Sequence, residues 1–314
     1  MILGTRGSAL ALAQTDLTTA ALRAAHPDLE ISRQIIQTTG DLRQDLRLGR
    51  PDSGADKGVW TRELETALAS GAIHAAVHSA KDIPTELPLG FRLAACLPRA
   101  AVSDALISKH PGGLDGLPSG AAIATSSVRR ARQLRHLRPD VQIIEIRGNV
   151  PTRLAKLAEN PALNALVLAQ AGLDRLGCGT PWFSAPQADA ATPLPHGLHA
   201  SLLPAGQFLP AAAQGIVALE VFGENAERDA LLAAITHAAT WRALRAEREF
   251  LRLLKAGCHT PVGLLSQETD AQLTLRALVF PDDETSPEPP RAATITAPAH
   301  HPEAAAAQLF QALK

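Results

Sequence analysis

Cysteine is scarce in this chain: there are three in 314 residues, Cys96, Cys178 and Cys258. So few scattered thiols exclude a disulfide framework or a cysteine-rich metal cluster, and a reducing cytoplasm is the simplest setting for them. No apolar run approaches the length that spans a bilayer. The opening "MILGTRGSALALAQ" lacks a basic segment followed by a long apolar stretch and a cleavage site, so it reads as mature protein and not as a signal peptide. The net charge of −1 gives no overall pull toward nucleic acid or membrane. Neither P-loop spacing nor the glycine fingerprint of dinucleotide binding occurs, which argues against nucleotide ligands. No internal repeat is visible.

What remains is ordinary globular composition, 46% hydrophobic and 19% charged, in a chain long enough for two or three domains. Short β-branched runs alternate with amphipathic stretches: "ISRQIIQTTG", "TRELETALASG", "AIHAAVHS", then "AAIATSS", "SVRRARQLRHL", "VQIIEIRG" and "NALVLAQAG". This alternation predicts α/β domains with largely parallel sheets. Segment 178–208 is rich in Pro, Ala, Gly and His without a clear period and reads as a long surface loop or insertion. Beyond it, "QGIVALEVF" predicts a strand and "ATWRALRAEREFLRLLKAG" a long helix stopped by Gly257. "LTLRALVF" with "EAAAAQLFQALK" suggests a small α+β domain.

Arginine collects at strand-to-helix junctions. "ATSSVRRARQLR" puts Ser126 and Ser127 before a helix and Arg129 and Arg130 in its first turn. Cations there oppose the helix dipole but are well placed to hold an anion; a solvated basic face is the other reading. Arg147 and Arg153 flank a Gly-Asn turn in "EIRGNVPTRL", Arg175 follows a strand in "LAQAGLDRLG", and "GTRGSALALAQ" sets Arg6 and Ser8 on a similar turn. Arginines and serines at strand ends from two domains describe a cleft for a ligand with several carboxylates. Asp82, in "AAVHSAKDIPTELP", stands out as an acid among these bases; locally it reads as the partner of Lys81 before a turn. Cys258 lies on a loop, after Gly257 and before Pro261, unlike a packed core thiol.

Together these segments resemble the porphobilinogen deaminase (hydroxymethylbilane synthase) family over nearly the whole chain: "TRGSALALAQ", "DKGVWTRELETAL", "AVHSAKDIPTELP", "ATSSVRR", "IRGNVPTRL", "AGLDRLG", "AAAQGIVALE" and "AEREFLRLLKAGCHTPVG". The resemblance implies two lobes like those of periplasmic binding proteins plus a small α+β C-terminal domain. The expected boundaries are 1–98 with 214–233, 103–209, and 238–314. It implies a dipyrromethane cofactor attached through Cys258 as a thioether. The implied reaction condenses four porphobilinogen molecules, each losing ammonia to give an azafulvene electrophile, before water releases hydroxymethylbilane.

By motif, Asp82 is implied as the acid that stabilises the developing cation. Ser79, Lys81, Asp82, Thr125, Ser127, Arg129, Arg130 and Cys258 are implied to bind the cofactor. Arg6, Arg147, Arg153 and Arg175, with Ser8, Lys57 and Gln214, are implied to bind the substrate and growing chain. A cytoplasmic monomer that uses no metal and passes its product to uroporphyrinogen-III synthase is expected. Cys96 reads as a packed residue and Cys178 as a loop thiol.

The chain departs from the family pattern in places. Ala256-Gly257 and Ala213-Gln214-Gly215 stand where the family usually has Gly-Gly and Gly-Gln-Gly, so both loops are expected to avoid positive φ. Trp60 replaces a common phenylalanine of a mobile lid, and the 178–208 insertion is longer than expected. Two other classes share parts of this pattern: a two-lobed binding or effector domain, and a phosphate-binding transferase. The first needs neither Cys258 nor Asp82, and the second usually shows a phosphate loop or metal motif.

Overall fold

The structure, a computed structural model, describes residues 1–42, 57–177, 192–193, 197–257, 259–286 and 288–314. The described residues build three sheets. The first has the order β2-β1-β3-β11-β4, from β1 (Ile2–Thr5), β2 (Ser32–Ile35), β3 (Ala75–Ser79), β4 (Phe91–Cys96) and β11 (Val217–Phe222). The second has the order β7-β6-β8-β5-β10-β9, from β5 (Asp104–Ser108), β6 (Ala122–Ala124), β7 (Gln142–Ile144), β8 (Ala165–Ala169), β9 (Thr192–Pro193) and β10 (His199–Leu203). The chain thus leaves the first sheet after Cys96 and returns to it at Val217.

Both sheets are mixed, which corrects the expectation of largely parallel ones. β1 pairs parallel with β2 and β3, but β11 runs antiparallel to β3 and β4. In the second sheet β6 is parallel to β7 and β8, while β5 is antiparallel to β8 and β10. Hydrophobic runs mark buried strands but carry no sign of direction. Segment 178–208 is not all loop, since His199–Leu203 pairs along the full length of β5. The polar residues of "HASLL" hide a strand that buries Ala200 and Leu203 on opposite faces of the sheet.

Helices cover both faces of these two sheets. Leu22 of α1 (Ala9–Ala25) and Leu232 of α7 (Ala226–Ala234) pack with Val77, Val217 and Leu219 on one face of the first sheet. Leu64 and Leu68 of α3 (Arg62–Ala69) pack with Ala76 on the other, while α2 (Thr39–Leu42) packs by the 3-10 turn Lys57–Trp60. In the second sheet, α4 (Val128–Leu137) places Leu134 against Ile123 and Val167. Leu157 of α5 (Val150–Glu159) and Leu173 of α6 (Gln170–Arg175) meet Leu166 and Leu168 across the sheet.

The third unit joins α8 (Ala238–Leu253) and α9 (Pro302–Ala312) to the antiparallel sheet β12 (Val262–Thr269), β13 (Gln272–Val279) and β14 (Arg291–Pro298). Helix α8 ends before Gly257, correcting the expected stop. Lys255 takes the left-handed conformation at φ 52°, its N–H donates to Arg252 O, and the Ala256 N–H donates to Leu251 O. That pair of bonds is a Schellman closure made without glycine.

Ala213 also departs from expectation, with φ 59°. A left-handed alanine is strained by about 1–2 kcal/mol. Its N–H is held by the Glu247 carboxylate, which secures the geometry. Gly215 follows at φ 87°, where an added Cβ would come within 2.5 Å of Ala100 O. The two segments that connect the lobes lie that close together.

Candidate functional site

The site is assembled where strands of both lobes end beside the connecting segments. β3 delivers Ser79, then a short 3-10 turn, Ala80–Asp82, presents Lys81 and the exposed Asp82. Across from it, Thr125 is buried at the end of β6, and Ser127 caps α4 by accepting from the Arg130 N–H at 3.4 Å. This cap starts the helix so that Arg129 and Arg130 point inward; both are buried.

The anion that these arginines meet within the protein is Asp104, a residue the sequence reading did not single out. Its carboxylate is fully buried, with Arg129 Nη2 at 2.8 Å from one oxygen and Arg130 Nη2 at 2.6 Å from the other. Gln214 Nε2 adds a hydrogen bond at 3.0 Å and donates also to Val102 O. Burial would raise the Asp104 pKa, but Arg129, Arg130 and Lys81 outweigh it and hold the carboxyl well below the usual range. The signal available in the sequence was an acid opening the apolar run "DALIS" while two first-turn arginines lacked a counter-charge.

The electrostatic neighbourhood is wider. Burial pulls the half-buried Lys81 ammonium down to about 8, against the opposing pull of Asp82. Burial, then the charges of Arg130 and Arg147, brings Arg153 down to about 10, with Asp82 pulling the other way. Lys81, Arg129 and Arg130 therefore gather around Asp104, and Asp82, Arg147 and Arg153 extend the same cluster through Lys81 and Arg130. Arg153 Nε donates to Gly148 O at 2.7 Å, and Arg147 pairs with Glu145.

The remaining expected residues stand elsewhere or have other partners. Arg6 pairs with Asp41 and stacks over Trp60 at 4.1 Å. Ser8 caps α1, and Ser79 Oγ accepts from Gln14 Nε2 at 2.7 Å. Arg175 reaches the connecting segment, donating to Gly215 O at 2.7 Å. The Lys57 side chain, Cys178 and Cys258 lie outside the described residues. Cys96 is fully buried, and burial pushes its thiol up to about 12, as suits a packed residue.

Helix α8 ties this region to the third unit. Arg99 on the first connecting segment meets Glu247 at 2.6 Å and donates to Ser266 and to Gln214 O. Arg248 donates to Pro84 O and Thr85 O, and Thr85 Oγ1 donates to Ala256 O, two residues before Cys258. Residues 84 and 85, which follow the Asp82 turn, are thereby fastened to helix α8 and to Ala256 beyond its end.

Two mixed-sheet lobes with a buried basic cluster between them define an α/β protein suited to holding a polyanion. Comparison with known proteins makes this specific. Residues 1–230 match the porphobilinogen deaminase, dipyromethane cofactor binding domain, and residues 241–311 match the porphobilinogen deaminase C-terminal domain. The porphobilinogen deaminase of Rubrobacter xylanophilus is 43% identical over 90% of this chain and 85% of its own. That of Desulforudis audaxviator is 42% identical over 91% and 85%, and that of Stenotrophomonas maltophilia R551-3 is 43% identical over 88% and 84%. The chain belongs to the porphobilinogen deaminase family. Among solved structures, the methionine-binding protein MetQ covers 79% of this chain and 94% of its own at 13% identity, with a TM-score of 0.42, too low to carry an argument.

The residues present fit the cofactor that the matched domain names. A dipyrromethane built from porphobilinogen carries an acetate and a propionate on each pyrrole. The cluster offers more cations than Asp82, Asp104 and Glu145 neutralise, and the buried Arg129 Nε has no hydrogen-bond partner among the described residues. Among those residues no group of His, Cys, Asp and Glu is suited to a metal ion.

Proposed function

We propose that this chain is a transferase of tetrapyrrole biosynthesis that condenses four porphobilinogen molecules head to tail, with loss of ammonia, to hydroxymethylbilane. The observation that carries the reading is the exposed Asp82 carboxylate at the rim of the basic cluster, fastened through Arg248 and Thr85 to the helix that leads to Cys258. The units read as 1–98 with 214–233, 103–209, and 238–314.

Bound through Cys258, a dipyrromethane supplies a pyrrole α-carbon as nucleophile. Lys81, Arg129 and Arg130, with Ser79, Thr125 and Ser127, hold its carboxylates. Arginine does so by bidentate pairing and lysine as a point charge. Arg6, Arg147, Arg153 and Arg175, with Ser8, Lys57 and Gln214, receive the incoming substrate and growing chain. Asp82 accepts pyrrole N–H groups and stabilises positive charge as the amine departs, at an oxygen placed before the charge develops. Acting as proton donor to that amine is a second task open to the same group. The enzyme works as a cytoplasmic monomer and passes its product to uroporphyrinogen-III synthase. No described helix is long and apolar enough to cross a membrane.

The test is stoichiometry. Purified protein given porphobilinogen should release ammonia and hydroxymethylbilane in a ratio of four to one. Porphobilinogen left unconsumed by cofactor-loaded protein contradicts the reading.

A further inference from the structure

A buried glutamate lies on the strand paired with the one that leads into the Asp82 turn, and the chemistry proposed above leaves it unused. Glu220 on β11 is fully buried, and its Oε2 lies 3.0 Å from His78 Nε2 on β3, itself 6% exposed. The register explains the meeting: Ala218 lies opposite His78 and Glu220 opposite Ala76, so the two side chains are diagonal neighbours on one sheet face. The contact is off the hydrogen-bond direction, and neither Glu220 oxygen has a donor among the described residues. Stability does not call for such a pair, because apolar residues of similar size would serve a fold as well or better.

The surroundings suggest what it does. Helix α3 contributes Glu65 near the pair, with Arg62 acting on Glu65; burial raises the Glu65 pKa, Thr61 opposes that, and Glu220 adds to it. Helix α8 contributes Arg248, on which the Glu220 charge acts, and whose guanidinium holds Pro84 O at 2.9 Å and Thr85 O at 2.8 Å. Glu220 therefore acts at the near end of the turn, on His78 directly before Ser79, while Arg248 grips residues 84 and 85 at the far end. Ser79, Lys81 and Asp82 lie between. Asp82 is exposed, so the backbone of this turn, more than packing, sets where its carboxylate stands.

We infer that Glu220, through His78, is a positioning residue that fixes the Asp82 turn for turnover. The inference rests on the role proposed for Asp82. Three variants test it in cofactor-loaded protein, verified by intact mass: Glu220→Gln, the apolar double variant His78→Leu with Glu220→Met, and Asp82→Asn. The double variant should melt close to wild type while kcat falls roughly 10- to 100-fold, as misplacement of a catalytic group does. KM should stay within about threefold, since the carboxylate-binding groups are untouched. A purely structural pair would instead recover kcat together with melting temperature. A kcat within about twofold of wild type in either folded Glu220 variant overturns the inference; so does failure of both to fold, which makes the pair structural. If Asp82→Asn alone keeps normal kcat, the Asp82 reading is what fails.

Discussion

Asp104 meets Arg129 on one carboxylate oxygen at 2.8 Å and Arg130 on the other at 2.6 Å, with no part of the carboxylate exposed. Two arginines in the first turn of a helix, unfavourable toward its dipole, are held in place by an acid from a different strand. Asp104→Asn leaves both guanidinium groups buried without their counter-charge. A loss of about 3–5 kcal/mol in urea unfolding is expected.

The acid limb of stability carries a sign. The folded pKa of Asp104 lies below its unfolded value of about 4, so its contribution is complete above that pH and is lost as pH falls toward the folded value. The gap in unfolding free energy between wild type and Asp104→Asn should narrow below about pH 4. A gap that stays constant there means that the charge of Asp104 is not what stabilises the cluster.

Arg129→Leu and Arg130→Leu should impair cofactor assembly, so that apoprotein accumulates. Arg175 stands apart, with its guanidinium on Gly215 O, and Arg175→Leu should permit assembly but slow chain extension. Each charge-assisted contact removed is worth about 1.5–3 kcal/mol. Intact-mass spectra before and after porphobilinogen distinguish the two outcomes; normal loading and elongation in all three would reduce the cluster to a structural one.

Lys81 gives a prediction at the alkaline end. Burial brings its folded pKa to about 8, below the unfolded value near 10.4, so the unfolded chain holds the proton more tightly over that window. Stability linked to Lys81 is therefore lowest below about pH 8 and recovers as pH rises toward about 10. In apoprotein, the melting temperature of wild type relative to Lys81→Met should rise across that range. A flat difference would show that Lys81 titrates normally.

Asp82→Asn keeps size and shape but removes the charge, and should lower kcat by roughly 10²–10³ with a smaller effect on KM. Asp82→Glu keeps the charge one methylene away and should retain a small activity. If Asp82 only pairs with Lys81 at a turn, the asparagine variant loses a little melting temperature and keeps kcat; both are measured on one preparation.

Much of this was legible in the sequence because local signals carried it. Ser127 before "VRR", Asn149 before Pro151 and the apolar runs of β3 and β8 each declare their element through capping chemistry or hydrophobicity. Strand direction was not legible, since antiparallel β11 and parallel β1 present similar apolar runs. Asp104 and Glu220 were missed for one reason: each is an acid inside an apolar strand, and its partners lie on other elements, far away in sequence. The left-handed conformations of Ala213 and Lys255 were hidden too, because the Glu247 carboxylate and the Schellman bonds impose them against residue preference.

The central claim is that Cys258 carries the cofactor, and the mass of its peptide tests this most directly. Digested enzyme should show the Cys258 peptide heavier by two porphobilinogen units less the ammonia lost, with Cys96 and Cys178 unmodified. The buried Cys96, its thiol pushed up to about 12, should also resist alkylation in folded protein. Cys258→Ser should lose both adduct and activity. An adduct on Cys96 or Cys178, or full activity in Cys258→Ser, would contradict the assignment.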